Sequence, residues 1–266
     1  DPKEIVLRKI DIEQIENLEE ILLTPGTILE IKIKDNSKID NLNFLSSMLN
    51  NSAVILRGNN FKINNMSFKE INNRNANLAI EEKNITGCIN ILDSEFTINK
   101  IMIDGSNCED GINIIKSKGK INDLEIKNVI SDGIDLDYSE VYIEKINVSD
   151  AAGDCVDLSF GNYFIENAQI KRCGDKGISV GEKSKMFISK IEVSNSEIGI
   201  ASKDSSITKL KEAKFKNAKT CLAAYNKKKE FYGGIIEIEK MNCENYVKRV
   251  NFDKSSIIKE VKRVSQ

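Results

Sequence analysis

Residues 132–159 read DGIDLDYSEVYIEKINVSDAAGDCVDLS and contain one period of the repeat that decides the fold. A small residue followed by an apolar one recurs in register around this stretch, with the apolar residue at positions 112, 134, 156, 178, 200 and 222. A second apolar column follows nearly the same spacing: Ile126, Val148, Ile170, Val193 and Phe215. Two columns with one period indicate a solenoid in which each repeat forms one coil.

The segments between the turn residues predict strands and no helix. Ile134-Asp135-Leu136-Asp137 alternates apolar and polar residues, and Gly, Asn, Asp and Ser interrupt such runs. A leucine-rich repeat of similar length would carry a leucine ladder and a helical segment, which this pattern lacks. We therefore expect a parallel β-helix with about 22 residues in each of about nine coils, which makes a rod roughly 40 Å long.

One domain is expected to cover residues 1–266, with an entry and cap at 1–27, coils at 28–250 and a last coil or C-terminal cap at 251–266. A longer step between Val54 and Ile89 predicts a turn excursion near 72–86, and a polar insert, Asn226–Tyr232, lengthens a later coil. Apolar residues at helical spacing in Ile12–Leu23 predict a helical cap over the first coil, because an uncapped solenoid exposes an unpaired edge. A strand that enters the first coil is the alternative.

Composition excludes several classes of function. The formal net charge is −2 and no basic cluster faces stacking aromatics, so nucleic-acid binding is not expected. No apolar run approaches the roughly 18 residues that span a bilayer, so direct membrane insertion is not expected either. The sequence contains no histidine, which removes Ser-His-Asp and Cys-His catalysis and His-ligated zinc. The chain begins at Asp1, from which we expect a fragment or a mature product.

The cysteines predict no disulfide framework. Cys88, Cys155 and Cys221 share the small-residue column and lie about three coils apart, too far to bond to one another. We expect them to be small buried turn residues. The other three, Cys108, Cys173 and Cys243, show no clear pairing, and no metal-ligand spacing is present.

Two stretches resemble a known repeat family: GDKGISVGEKS at residues 174–184 and IGIASKDSS at residues 198–206. They are similar to the β-helix repeat region of bacterial surface and exopolysaccharide-associated proteins, and the likeness extends from Thr86 to Tyr246. The resemblance implies an all-β fold, a right-handed single-stranded parallel β-helix of the pectate-lyase-like class. It implies no catalytic residues. Some of those proteins carry a kinase-like domain before this region, which implies a flanking domain here.

The carboxylates most suited to a site are Asp135 and Asp157, which are one period apart and follow aligned core residues. Their side chains should point outward from neighbouring coils, with Asn113 below them and Ser179 above. Asp137 should face the same side as Asp135. Stacked like charges about 5 Å apart are unfavourable unless a cation or a proton is shared.

A second stacked pair, Asp132 and Asp154, precedes the first, with Lys176 above it. Tyr138 and Phe160 are also one period apart and are the nearest rings for stacking on sugars. Lys183 completes the candidate binding residues, which are Tyr138, Phe160, Asn113, Ser179 and Lys183.

Three interpretations of the aspartates remain open. They serve turns and hydrogen-bonded ladders, they bind calcium through Asp135, Asp137 and Asp157, or they catalyse. A close pair would resemble that of a retaining glycosidase, whereas a lyase or an epimerase would use a cation together with Lys176, Lys183 or Arg172 as base. The catalytic candidates are Asp135, Asp157, Asp137 and Lys176.

We expect a non-catalytic module that binds or scaffolds a polysaccharide at the cell surface or outside the cell. One alternative is a histidine-independent polysaccharide lyase, epimerase or glycoside hydrolase, and another is a protein-interaction rod attached to a separate catalytic domain. A homo-oligomer is also open. An exposed apolar strip would favour the protein rod, and a groove walled by the two insertions would favour a glycan.

Overall fold

The chain is described from a computed structural model, which covers residues 6–12, 20–24, 26–47, 52–71 and 85–261. It is an all-β parallel solenoid of about 10 coils that recur about every 23 residues. Within this part no helix is long and apolar enough to cross a membrane. The strands are β1 (Val6–Ile12), β2 (Ile21–Leu23), β3 (Thr27–Ile33), β4 (Lys38–Ser47), β5 (Ala53–Arg57), β6 (Phe61–Ile71), β7 (Gly87–Leu92), β8 (Glu95–Ser106), β9 (Asp110–Ile115), β10 (Lys118–Val129), β11 (Asp132–Asp137), β12 (Glu140–Ala151), β13 (Val156–Ser159), β14 (Asn162–Cys173), β15 (Lys176–Val180), β16 (Lys185–Lys203), β17 (Ile207–Tyr225), β18 (Ile235–Glu244), β19 (Lys248–Phe252) and β20 (Ile257–Glu260).

Each coil contributes strands to two parallel ladders. The short ladder runs through β1, β3, β5, β7, β9, β11, β13 and β15, then through the C-terminal parts of β16 and β17 to β19. The long ladder runs through β2, β4, β6, β8, β10, β12 and β14, then through the N-terminal parts of β16 and β17 to β18 and β20. An outward side chain therefore stands above its equivalent in the coil below, about 4.8 Å away.

The two apolar columns predicted from the sequence form the core. The first is in register and fully buried: Ile112, Ile134, Val156, Ile178, Ile200 and Leu222. The second is buried as well: Ile126, Val148, Ile170, Val193 and Phe215. Burying each such side chain contributes about 1.5–3 kcal/mol. A slip by one residue would expose the apolar set of a strand, so the columns fix the register of the coils.

Asparagine side chains form hydrogen bonds from coil to coil at the corners. Asn60 donates to Asn36 (2.6 Å), while Asn245 donates to Asn217, which in turn donates to Asn195. All five have a left-handed backbone, with φ between 53° and 64°. Asparagine tolerates this conformation better than most residues. The ladders considered as one role for outward polar residues are thus present at the corners.

The predicted helical cap is wrong at both of its described ends. Ile12 is the last residue of β1, and Ile21–Leu23 form β2; the residues between, 13–19, lie outside the described part. Leu22 is exposed and Leu23 is buried, which is the alternation of a strand. The apolar spacing fitted a helix, but pairing of β1 with β3 and of β2 with β4 satisfies the backbone groups instead.

The far end of the rod also consists of strands. Ile257–Glu260 form β20, which pairs with β18, and Val264 lies outside the described residues. Val250 and Phe252 continue core columns of the short ladder but are exposed, because no described residue stacks on this last coil. No helical cap is present at this end within the described chain.

The two predicted insertions differ in what the structure describes. The excursion near 72–86 falls outside the described part, apart from Ile85 and Thr86. The insertion loop, residues 226–232, follows β17 and is held by its own side chains. Asn226 Nδ2 donates to the backbone carbonyls of Lys228 (3.0 Å) and Phe231 (2.7 Å).

The expectation of unpaired cysteines is wrong, because three disulfides are present. They join Cys88 to Cys108, Cys155 to Cys173 and Cys221 to Cys243, with Cα–Cα distances of 5.3, 5.5 and 6.4 Å. These distances are ordinary for disulfides. The sequence analysis compared cysteines that share one column of the repeat, whereas each disulfide joins cysteines of two different columns. Cys173 stands above Ala151, which lies on the coil of Cys155 and precedes it across the corner.

Candidate functional site

The carboxylates singled out in the sequence lie on the outward side of the short ladder. Asp135 pairs in register with Asn113 below and Asp157 above, and Ser179 follows above Asp157, as predicted. Their neighbours along each strand are buried apolar residues, so strand alternation directs the polar side chains away from the core. The carboxylate face, as we call this surface, comprises Asp110, Asn113, Asp132, Asp135, Asp137, Asp154, Asp157, Lys176 and Ser179.

A second column of aspartates runs beside the first and serves turns. Asp132 stands above Asp110, and its Oδ1 atom accepts the backbone N–H of Asp154 (2.7 Å). One coil higher, Asp154 Oδ1 accepts the backbone N–H of Lys176 (2.9 Å). Each carboxylate thus fixes the turn of the coil above it, which is the structural role considered for these residues.

Burial raises the pKa of several of these carboxyl groups. Burial, together with the charges of Asp110, Asp137 and Asp157, raises the pKa of Asp135 to about 10. Burial raises the pKa of Asp110 to about 7 and that of Asp132 to about 6. Asp135 is hydrogen-bonded to Asp137, whose pKa burial raises as well. The two therefore share a proton at neutral pH, which relieves the repulsion of stacked carboxylates.

Two buried ammonium groups compensate the remaining negative charge. Lys176 Nζ lies 3.3 Å from Asp154 Oδ1 and also contacts Asp175, while Lys203 Nζ lies 3.9 Å from Asp157 Oδ1. Burial lowers the pKa of Lys176, but the hydrogen bond to Asp175 and the charges of Asp154, Asp175 and Tyr225 together raise it by more. Lys176 is therefore protonated at neutral pH, which argues against its predicted role as a base.

Three carboxylates come close enough to share one cation. Oxygen atoms of Asp132, Asp154 and Asp157 lie within 4.8 Å of one another, and no other such group occurs among the described residues. The sequence pointed instead to Asp135, Asp137 and Asp157, so only Asp157 is common to both sets. Oxygen ligands suit calcium, but the ammonium groups described above already lie against Asp154 and Asp157. Calcium stays a prediction, and it would have to displace them.

Tyr138 and Phe160 stack on each other at the corner after β11 and β13. Their centroids are 4.6 Å apart and their planes differ by 3°, while Phe231 approaches Phe160 edge-on at 6.1 Å. The rings therefore cover one another, and Tyr138, which is 55% exposed, is the ring most available to a sugar. Both residues have φ of 50°, a left-handed conformation that is rare for bulky side chains.

The insertion loop stands at the upper end of this corner. The Asp204 carboxylate accepts the backbone N–H of Lys228 (2.8 Å), and the Lys228 ammonium binds Glu182 (2.5 Å). Burial raises the pKa of Glu182, but its hydrogen bonds to Lys228 and Ser159 and the charges of Lys228 and Lys203 together lower it by more, so this carboxylate is ionised. Lys183 Nζ lies 5.8 Å from the centre of the Phe231 ring. The loop thus forms a wall beside Phe160 and the exposed Tyr138.

Comparison with known proteins supports this architecture. The model of a family described as "right handed beta helix region" matches residues 110–258, more than half of the chain. The chain belongs to this right-handed β-helix family. A search of curated proteins and a search of solved structures gave no significant match. The family match supports the right-handed sense of the β-helix. It does not confirm membership of the pectate-lyase-like class.

The β-helix also brings in residues that the sequence analysis overlooked. Steps of 22 residues lead from Asp137 through Ser159 and Gly181 to Lys203, so the period could have indicated this lysine. Arg172, considered as a base, instead donates two hydrogen bonds of 2.5 and 2.7 Å to Asp150, near the C-terminal ends of β14 and β12.

Proposed function

We propose that this β-helix is a non-catalytic module that binds a polysaccharide at the carboxylate face, at the cell surface or outside the cell. The observation that carries the proposal is the pair of rings, Tyr138 and Phe160, at left-handed corners beside half-buried carboxylates. A neutral chain, or one with amino sugars, suits this face best, because the carboxylates repel a polyanion.

The ring pair is unfavourable for the fold alone. A bulky residue in the left-handed conformation costs about 1–2 kcal/mol, and stacking offsets about 0.5–1.5 kcal/mol for the pair. Asparagine occupies the equivalent left-handed corner in earlier coils of the rod, at Asn36 after β3 and Asn60 after β5. Unfavourable backbone conformations of this kind cluster at ligand sites, which favours a use for the rings beyond the turn.

The polar groups of the face are suited to sugar hydroxyls. The Asp157 side chain is 28% exposed, and Asp135 and Asp137 are half-buried, so ligand oxygens can reach them. Buried charges such as those of Asp154 and Lys176 cost stability and concentrate at functional sites. Equivalent side chains of the face recur once per coil, and the rise of one coil is similar to the length of one pyranose in an extended chain. Successive sugars can therefore meet equivalent side chains.

The disulfides support the proposed location. Disulfides form and persist in oxidising compartments, which include the cell surface and the extracellular medium. Three bridges in one chain of this size therefore favour a protein that acts outside the cytosol.

The test replaces both aromatic residues with asparagine, which tolerates the left-handed backbone conformation at these two positions. Tyr138→Asn combined with Phe160→Asn should leave the melting temperature unchanged or higher, while the affinity for galactomannan or chitosan oligosaccharides falls about tenfold. Isothermal titration calorimetry measures the affinity, and Lys116→Asn, at the same corner one coil below, is the matched control. Unaltered affinity in the double variant, or no affinity in the unaltered protein, would contradict the proposal.

Catalysis is the second candidate, and the proton shared by Asp135 and Asp137 favours it. A carboxylic acid that stays protonated at neutral pH can act as a general acid, with Asp157 as the second carboxylate. New oligosaccharides from the same glycans, detected by chromatography and lost in Asp135→Asn or Asp157→Asn, would replace the binding proposal with an enzyme. Calcium and a chelator then separate lyase-type from glycosidase-type chemistry.

A further inference from the structure

An open groove of about 710 Å³ runs along the long ladder, across β10, β12, β14, β16 and β17. Its two rows are Lys118, Glu140, Asn162 and Lys185 on one side and Tyr142, Phe164 and Phe187 on the other. Both rows are in register from coil to coil. We call this surface the lysine groove. None of its residues belongs to the carboxylate face.

The rings of the lysine groove stack along the rod. The centroids of Tyr142 and Phe164 are 5.0 Å apart, as are those of Phe164 and Phe187, and the planes differ by only 9° and 17°. The rings therefore cover one another's faces and present their edges to the groove. Ring edges carry the positive part of the aromatic quadrupole, so this row attracts oxygen atoms with negative charge.

Ammonium groups stand at both ends of the ring row. Lys120 Nζ lies 5.4 Å from the centre of the Tyr142 ring, on the column below it, and Lys209 follows Phe187 on the same column. Lys120 is weakly paired with Glu144 (4.0 Å), and Lys209 is paired with Glu237 (3.4 Å). The row thus ends in positive charge that is only partly compensated.

The opposite row holds two lysines that are available to a ligand. Lys118 and Lys185 are exposed, and neither makes an ion pair with any described residue. Glu140 is the one acidic residue that lines the groove, against three lining lysines: Lys118, Lys185 and Lys209. Glu166, beyond the rings, accepts a hydrogen bond from the Tyr142 hydroxyl (2.8 Å) and is thereby engaged. Among the lining residues, lysines therefore outnumber carboxylates over an apolar floor. Lys118 stands in register between Glu95 and Glu140, whereas Lys185 has the uncharged Asn162 and Ile207 as its neighbours.

We infer that the lysine groove binds an acidic polysaccharide, a chain of uronic acids laid along the rod. The oxygen atoms of the sugars would lie along the ring edges, their C–H surfaces would cover Ile207, and their carboxylates would reach Lys118 and Lys185. Five coils line the groove, so it spans about 19 Å at a rise of about 4.8 Å per coil. That length takes about four sugars, one for each step between coils. The inference does not depend on the proposed function, since it concerns another ladder and the opposite charge.

The experiment uses the full chain and oligosaccharides of polygalacturonate and of alginate. Lys118→Gln combined with Lys185→Gln should weaken uronate binding about tenfold, because two charge-assisted contacts are lost. Added salt should weaken binding by the unaltered protein for the same reason. Lys171→Gln combined with Lys216→Gln, two exposed lysines outside the groove on the same ladder, changes the net charge equally and should leave affinity unaltered.

The outcomes separate the two surfaces. The variant that combines Tyr138→Asn with Phe160→Asn should retain uronate binding. A negative result for glycan binding at the carboxylate face therefore leaves the inference about the lysine groove intact, and the reverse also holds. The inference is overturned if the unaltered protein binds neither uronate. It is also overturned if both lysine pairs behave alike, or if neutral galactan binds equally well. Sedimentation velocity provides a further check: a dimer that Phe164→Ser dissociates, without uronate binding, would assign the groove to a second copy of the chain.

Discussion

The carboxylate face and the lysine groove lie on the same coils, but they hold their charges in opposite ways. Lys176 is 8% exposed and Lys203 is 5% exposed, each against a carboxylate, whereas Lys118 and Lys185 of the groove extend into solvent. A buried charge contributes through its partner and is costly without it. An exposed charge contributes little to stability and acts mainly on a ligand. Substitutions on the two surfaces should therefore separate stability from binding.

The largest difference is expected between two lysine substitutions. Lys176→Met leaves the Asp154 carboxylate without its partner in a buried position, which should lower the free energy of unfolding by about 3 kcal/mol near pH 8. Lys185→Met in the groove should change it by less than about 0.5 kcal/mol. Urea denaturation measures both. Asp154→Asn added to Lys176→Met should restore most of the loss; if it does not, the ion pair is not the cause.

The second difference concerns the buried disulfide beside the carboxylate face, where Cys155 follows Asp154. Replacing Cys155 and Cys173 by serine should lower the free energy of unfolding by about 2–4 kcal/mol, because the unfolded chain regains the freedom of the closed loop. Hydrogen exchange should show lost protection at Asp157 and Leu158 before Tyr142 and Phe164 of the groove. Equal loss of protection on both surfaces would mean that the coils unfold as one unit. The carboxylate face and the lysine groove would then not differ in local stability.

The smallest effect is a gain in stability, and it depends on pH. The folded state holds the Asp135 proton up to about pH 10, whereas the pKa of an ordinary aspartate is 3.8. Between these values the unfolded state binds fewer protons, so the contribution of Asp135 to stability falls as the pH rises. Asp135→Asn removes this cost and should stabilise the protein by about 1–3 kcal/mol near pH 8, with a smaller gain near pH 4.

The control for this prediction lies in the groove. Glu140→Gln removes an exposed carboxylate and should leave the melting temperature nearly unchanged at both pH values. Differential scanning calorimetry at the two pH values provides the measurement. A gain from Asp135→Asn that is no larger at the higher pH than at the lower would show that this carboxyl group is ionised in the folded protein.

The periodic part of the molecule was predictable, because side chains one period apart in adjacent coils occupy equivalent positions. The spacing of Asp135 and Asp157 gave their pairing, and that of Tyr138 and Phe160 gave the stacked rings. The same rule applied to Tyr142, Phe164 and Phe187 would have indicated the aromatic row of the groove, which the sequence analysis left out. That signal is present in the spacing of these three residues.

Contacts between different columns were not predictable in this way. Cys155 and Cys173 are separated by 18 residues, less than a period, and meet across a corner whose geometry no spacing reports. The apolar spacing of Ile12–Leu23 predicted a helix wrongly, because contacts with other coils also decide the structure there. Pairing with coils distant in sequence decided that Ile12 and Ile21–Leu23 are strands.

The sequence by itself determined the repeat, the strands, the core columns and the stacking of carboxylates, because each follows from the period and from the alternation along a strand. Only the tertiary structure decided how the charges are held. Whether Asp135 keeps a proton and which carboxylates cluster depend on burial and on distances across columns. So does the contact of Lys203 with Asp157. Those quantities arise when the coils stack and exclude water, and no single coil contains them.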